Sequence, residues 1–167
     1  MSRILMVVAS RNFRDEEYLE PRRVFDEAGC QVTVASSVVG PVRGRFGAWV
    51  RAERQIAECR ASEFDAVVFV GGEGASEYLD NRTAHRLCRE ALKANRVLAA
   101  ICMAPSILAN AGVLKDLAVT AHPPERRNIE ARGAVWSCDP VVVSGRIVTA
   151  DGPASASAFG QKVVSML

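Results

Sequence analysis

The chain has 167 residues, enough for one domain with a full core, and its 49% hydrophobic and 24% charged residues are ordinary for a globular protein. A formal net charge of +2, with Lys and Arg scattered among Asp and Glu, leaves no sustained basic run, so nucleic acid is not an expected partner. The N-terminal apolar run "ILMVVA" is too short for a signal peptide or a bilayer span, which argues against a membrane partner and for a cytoplasmic protein.

Short apolar runs alternate with longer amphipathic segments along the chain. "RILMVVA" predicts a buried first strand, followed by the polar loop "SRNF" and a helix from about Asp15 to Ala28 that Gly29 ends. "QVTVAS" reads as a second strand. The Gly-rich "VVGPVRGRFGAWV" predicts an extended excursion or hairpin, and "RAERQIAECRASEF" a short helix before the third core strand "DAVVFV". "GGEGASEYL" turns off that strand, and a helix from about Asn81 to Ala94 leads into a fourth core strand, "RVLAAI". Next come Cys102 and its helix, an extended piece near "LAVTA", and a polar helix around Pro124 to Arg132. The strand pair "PVVVSGRIVTA" and a helix from about Pro153 close the chain. No repeat or linker interrupts the pattern, so residues 1–167 read as one domain. Wholly apolar strands separated by helices indicate an α/β sandwich with a mostly parallel sheet covered on both faces.

In such sheets, function gathers in the loops that leave the carboxyl ends of the strands. "SRNF", "GGEGAS" and Cys102 all occupy such positions. Five cysteines (Cys30, Cys59, Cys88, Cys102 and Cys138), widely spaced and without C-x-x-C, suggest neither a disulfide framework nor a zinc site. Most free cysteines are small buried hydrophobes. Cys102 stands apart because it lies between a buried strand and an immediate helix, where the chain must turn sharply and yet no glycine is used. Pro105 suits the first turn of that helix and Gly112 the position past its end. Unpaired N–H groups at the helix start are expected to lower the thiol pKa below its free value of ~8.5. In "DEEYLEPRRVFDEAG", Pro21 cannot donate to the Glu17 carbonyl, so a kink is expected that brings Glu17 near the same rim. Acidic residues in a first helical turn also complement the dipole, so pattern alone leaves Asp15, Glu16 and Glu17 open between the two roles.

Taken together, "FRDEEYLEP", "FDAVVFVGGEGA", "AICMAP" with "AGVLK", "VTAHP" and "GRIVTADGPASASAFG" resemble the ThiJ/PfpI superfamily across nearly the whole chain. The resemblance implies a flavodoxin-like three-layer sandwich of the class I glutamine amidotransferase-like type, a homodimer, and a reactive cysteine beside a glutamic acid. Carried over by position, Cys102 is the nucleophile and redox-sensitive thiol and Glu17 the partner, protonated and donating to sulfur. Gly72 and Met103 would supply oxyanion N–H groups. His122 matches a histidine that relays protons in the DJ-like branch, though a surface or dimer-contact histidine fits equally.

Departures from the family pattern narrow the function. Met103 replaces the histidine that follows the cysteine in the protease-like branch, which argues against a Cys-His dyad and peptidase activity. Asp151 stands where the DJ-like branch has an anion-contacting arginine, and Arg14 where many relatives are acidic; both are expected to line the pocket. Three readings follow. One is a cofactor-free enzyme of the glyoxalase or deglycase type on small reactive carbonyls, and another a redox-responsive protective protein whose Cys102 is oxidised to sulfinic acid; the third is a hydrolase. The expected partner is thus a small-molecule substrate or oxidant, with no metal or cofactor. "GGEGAS" has neither a dinucleotide fingerprint nor a P-loop lysine. The loops "GPVRGRFGAW" and "AHPPERR", with Trp49 and Trp136, are available to build the dimer.

Overall fold

A computed structural model describes residues 1–167. The strands are β1 (Arg3–Val7), β2 (Gln31–Ser36), β3 (Gly40–Arg43), β4 (Trp49–Ala52), β5 (Arg54–Gln55), β6 (Ala66–Phe69), β7 (Val97–Ile101), β8 (Ala118–Val119), β9 (Val135–Trp136), β10 (Val141–Ser144) and β11 (Ile147–Ala150). The α-helices are α1 (Asp15–Glu27), α2 (Arg82–Lys93), α3 (Pro105–Asn110), α4 (Arg126–Ala131) and α5 (Ala156–Ser165).

Seven strands form one sheet in the order β10-β11-β7-β6-β1-β2-β5, parallel except for the β10–β11 hairpin at one edge. Alternation along the strands sorts side chains to two faces. Leu5, Val7, Val67, Phe69 and Leu98 pack with Leu87 of α2, Leu108 of α3 and Ile129 of α4. Ile4, Met6, Val68, Ala99 and Ile101 pack on the other face with Phe25 of α1 and Phe159 and Val163 of α5. The result is the flavodoxin-like, three-layer sandwich. No helix is long and apolar enough to cross a membrane.

Some elements differ from expectation. The short helix anticipated in "RAERQIAECRASEF" is instead two single 3-10 turns, Ile56–Glu58 and Ala61–Glu63. The Glu58 carboxylate closes the first on the Gln55 N–H (3.3 Å) and Glu63 closes the second on the Arg60 N–H (3.3 Å). Buried Ile56, Cys59, Ala61 and Phe64 recur too closely for one helical face, so the core is better met by two turns. The Gly-rich segment is an antiparallel hairpin, β3–β4, with Arg43 opposite Trp49. Helix α1 runs through Pro21, whose ring lies buried against α5. There Gly160 permits the approach, because an added Cβ would stand 3.0 Å from the Pro21 Cα.

Candidate active site

Strands β1, β6 and β7 are neighbours, so the loops at their carboxyl ends converge on one rim. Cys102 follows β7 with φ 63°. Of the non-glycine residues with positive φ, the others are Asn12, Asn95 and Asp116, types that tolerate the left-handed region. A cysteine there is unusual and costs on the order of 1 kcal/mol. The turn is pinned from both sides, since the Cys102 N–H donates to the Ala150 carbonyl (2.9 Å) and its carbonyl accepts from the His122 N–H (2.8 Å).

Bare glycines bring the β6 loop close to it. A Cβ on Gly71 would collide with the Glu17 carboxylate and the Ile101 carbonyl, and one on Gly72 (φ 99°) would collide with the Arg14 backbone. A Cβ on Gly74 would strike the Arg11 carbonyl. The Arg14 N–H donates to the Gly71 carbonyl (2.9 Å), which ties the start of α1 to the β6 loop. Only Gly72 was legible as a site residue from the sequence; Gly71 and Gly74 show their role through atoms distant along the chain.

Glu17 is fully buried, and neither carboxyl oxygen has a hydrogen-bond partner of good geometry. Desolvation pushes its pKa up to about 7, opposed by the adjacent Cys102 thiol and the positive charge of Arg14. The thiol is pushed up as well, to about 12, first by burial and then by Glu17, while the N–H groups of Met103 and Gly72 favour the anion. The expected lowering of the thiol pKa is therefore corrected to a rise. Helix α3 has only six residues and starts at Pro105, beyond the turn, so its dipole is small beside desolvation and a neighbouring carboxylate. With the carboxyl at about 7 and the thiol at about 12, Glu17 gives up its proton before Cys102 does as the pH rises.

These groups open into a cleft of about 370 Å³. Arg14, Glu17, Gly72, Cys102, Met103 and His122 line it, as do Asn12, Arg45, Phe46, Glu73 and Pro153, which sequence reasoning missed. The hairpin residues Arg45 and Phe46 had no local signal pointing to Cys102. Phe46 lies beneath the Arg14 guanidinium at 4.8 Å, and Arg14 also pairs with Glu16. His122 is exposed at the cleft edge. Asp151, expected in this pocket, lines a neighbouring one with Thr120, Trp136 and Cys138. Its carboxylate accepts from the Ser155 hydroxyl (2.6 Å). No group of three or more His, Cys, Asp or Glu side chains is placed to hold a metal ion.

The model of the DJ-1/PfpI family matches residues 2–166. The chain belongs to the DJ-1/PfpI family. An uncharacterized protein of Methanocaldococcus jannaschii is 38% identical over 169 residues, covering 99% of this chain and 82% of its own. A deglycase of Pyrococcus abyssi is 29% identical over 163 residues, 98% of each chain. Among solved structures, a ThiJ/PfpI domain protein from Brachyspira murdochii superposes with a TM-score of 0.96 at 36% identity, covering 98% of this chain and 95% of that one.

Proposed function

We propose that this DJ-1/PfpI protein is a cofactor-independent enzyme acting on small reactive carbonyls, of the deglycase or glyoxalase type, with Cys102 as nucleophile and Glu17 as proton carrier. The observation that carries the reading is a sulfur in a strained elbow beside a fully buried carboxyl, whose pKa burial pushes up to about 7. A proton carrier is most effective when its pKa lies near the working pH. As the sulfur attacks an aldehyde carbon, the ionised Glu17 takes the thiol proton and the S–C bond forms. Negative charge moves to the carbonyl oxygen, where the Gly72 and Met103 N–H groups are available as donors. Glu17 then returns the proton to that oxygen, leaving a neutral hemithioacetal. His122, at the cleft edge, can exchange protons with water. The deglycase among the relatives supports the same chemistry. Met103, with no ring nitrogen beside the sulfur, speaks against a peptidase.

The test is consumption of methylglyoxal by the purified chain. Turnover is expected to vanish in Cys102→Ser, and activity surviving that change would sink the reading. A second reading, a redox-responsive protein, is favoured by the two unpartnered Glu17 oxygens beside the sulfur. Peroxide would convert the thiol to sulfenic and then sulfinic acid, releasing one water at each step, and a protonated Glu17 could donate to the new S–O oxygen. A mass gain of two oxygens on Cys102 in a chain that turns over no carbonyl would select it.

A further inference from the structure

Asp15 opens helix α1, where pattern alone allows dipole complementation as its whole role. A carboxylate serving only the dipole stays in water, yet Asp15 is buried, with 6% of its surface exposed. Its two oxygens are occupied by the tip of the β3–β4 hairpin: Oδ1 accepts from the Phe46 N–H (2.9 Å) and Oδ2 from the Ala48 N–H (2.8 Å). Bonds from backbone N–H groups to an ionised acceptor are among the stronger kinds in proteins. Gly44 makes the approach feasible, because a Cβ there would collide with the Asp15 carboxylate. Two further bonds seat the hairpin beside the same loop, Arg45 N–H to the Phe13 carbonyl (3.0 Å) and Asn12 N–H to the Arg43 carbonyl (2.9 Å).

The tip so held carries Arg45 and Phe46, the part of the Cys102 cleft lining that the hairpin contributes. The Phe46 side chain is not anchored by a core, since the residue is 62% exposed. Its place is set by its backbone and by the Arg14 guanidinium over its ring (4.8 Å). We propose that Asp15 is a latch, a positioning residue that docks the hairpin tip on α1 and so determines the size of molecule that reaches Cys102. The inference rests on the reading above only in taking Cys102 as the reacting atom.

A pair of thiol reagents with one chemistry and two sizes tests it. Maleimide and N-phenylmaleimide both add by S–C bond formation, with the thiol proton ending on the neighbouring carbon. Their rates at Cys102, each divided by the rate at free cysteine, are followed by mass spectrometry of the Cys102 peptide. The parent chain is expected to disfavour the larger reagent. Asp15→Ala is expected to reduce that discrimination by about tenfold or more, the scale of losing charge-assisted hydrogen bonds. Gly44→Ala, which keeps the carboxylate but crowds it, should act in the same direction and serves if Asp15→Ala does not fold. A mere loss of global stability would not change the ratio of the two reagents in the folded chain.

Hydrogen exchange at the Phe46 and Ala48 amides supplies a readout independent of thiol chemistry. Both are expected to be protected in the parent and to exchange about tenfold or more faster in Asp15→Ala, with the amides of β1 and β6 unchanged. Unchanged size selectivity in both variants, or fast exchange of these two amides in the parent, overturns the latch. If Cys102 of the parent resists both reagents, the nucleophile reading fails, and the exchange of the two amides still decides the latch.

Discussion

Two side chains meet in the cleft with opposite effects on each other: burial and Glu17 raise the proton affinity of the Cys102 thiol, whereas burial raises that of Glu17 against the lowering effect of the thiol. Glu17, with its folded pKa at about 7 against an ordinary value of 4.5, holds its proton more tightly in the native state than in the unfolded chain. The stability contributed by the protonated form is therefore fully present below about pH 4.5 and is lost as the pH rises through about 7. The shift corresponds to about 3 kcal/mol. Glu17→Gln is expected to be more stable than the parent by up to that amount at about pH 8 and to show a flatter profile between about pH 5 and 7, as read by urea denaturation. The same substitution removes the carboxylate that raises the thiol pKa while leaving an amide N–H able to donate to sulfur. Alkylation of Cys102 at neutral pH should then quicken, and carbonyl turnover should fall about a hundredfold or more for want of a proton carrier. Slower alkylation would contradict the assigned coupling. Cys102 was legible in the sequence because a tight turn without glycine is a local signal. Its raised pKa was not, since desolvation depends on what the fold packs around it.

At the scale of elements, the strands were legible and the short connections were not. "RILMVVA", "DAVVFV" and "RVLAAI" are apolar without interruption because both of their faces are covered, and they form β1, β6 and β7. The hairpin of the Gly-rich segment was also recoverable. The segment "RAERQIAECRASEF" reads as a short helix in the sequence, whereas the spacing of its buried anchors is met by the 3-10 turns Ile56–Glu58 and Ala61–Glu63. Pro21 shows a related limit. Helix α1 continues through it and packs its ring against α5, where Gly160 is the counterpart that admits it. On propensity alone Gly160→Ala would stabilise α5 by about 1 kcal/mol. The Cβ would press on the Pro21 Cα and, at 3.3 Å, the Val24 Cβ, so a net loss of about 1–2 kcal/mol is expected instead. A thermal melt comparing the two chains checks the sign.

For the whole molecule, association is the property that the folded chain leaves to its surface. Trp49 is 66% exposed on β4, with the Arg43 guanidinium over its ring at 5.5 Å, which is not the core packing common for tryptophan. Light scattering is expected to give a homodimer of twice the 18.0 kDa chain, with Trp49→Glu shifting the mass to that of one chain. A monomeric parent would refute this.

Composition, apolar periodicity and turn chemistry act over a few residues, and from them alone the sequence determined the parallel sandwich, the elbow at Cys102 and the placement of Glu17 on the first helix. The tertiary structure alone decided that Glu17 is dry, that Asp151 turns to Ser155 in a neighbouring pocket, and that Asp15 holds a hairpin about thirty residues away. Each of those outcomes requires segments distant along the chain to meet at one rim of the sheet. Strand order and the bare glycines of the β6 loop govern that meeting, and no local pattern encodes what a side chain will face once it has happened.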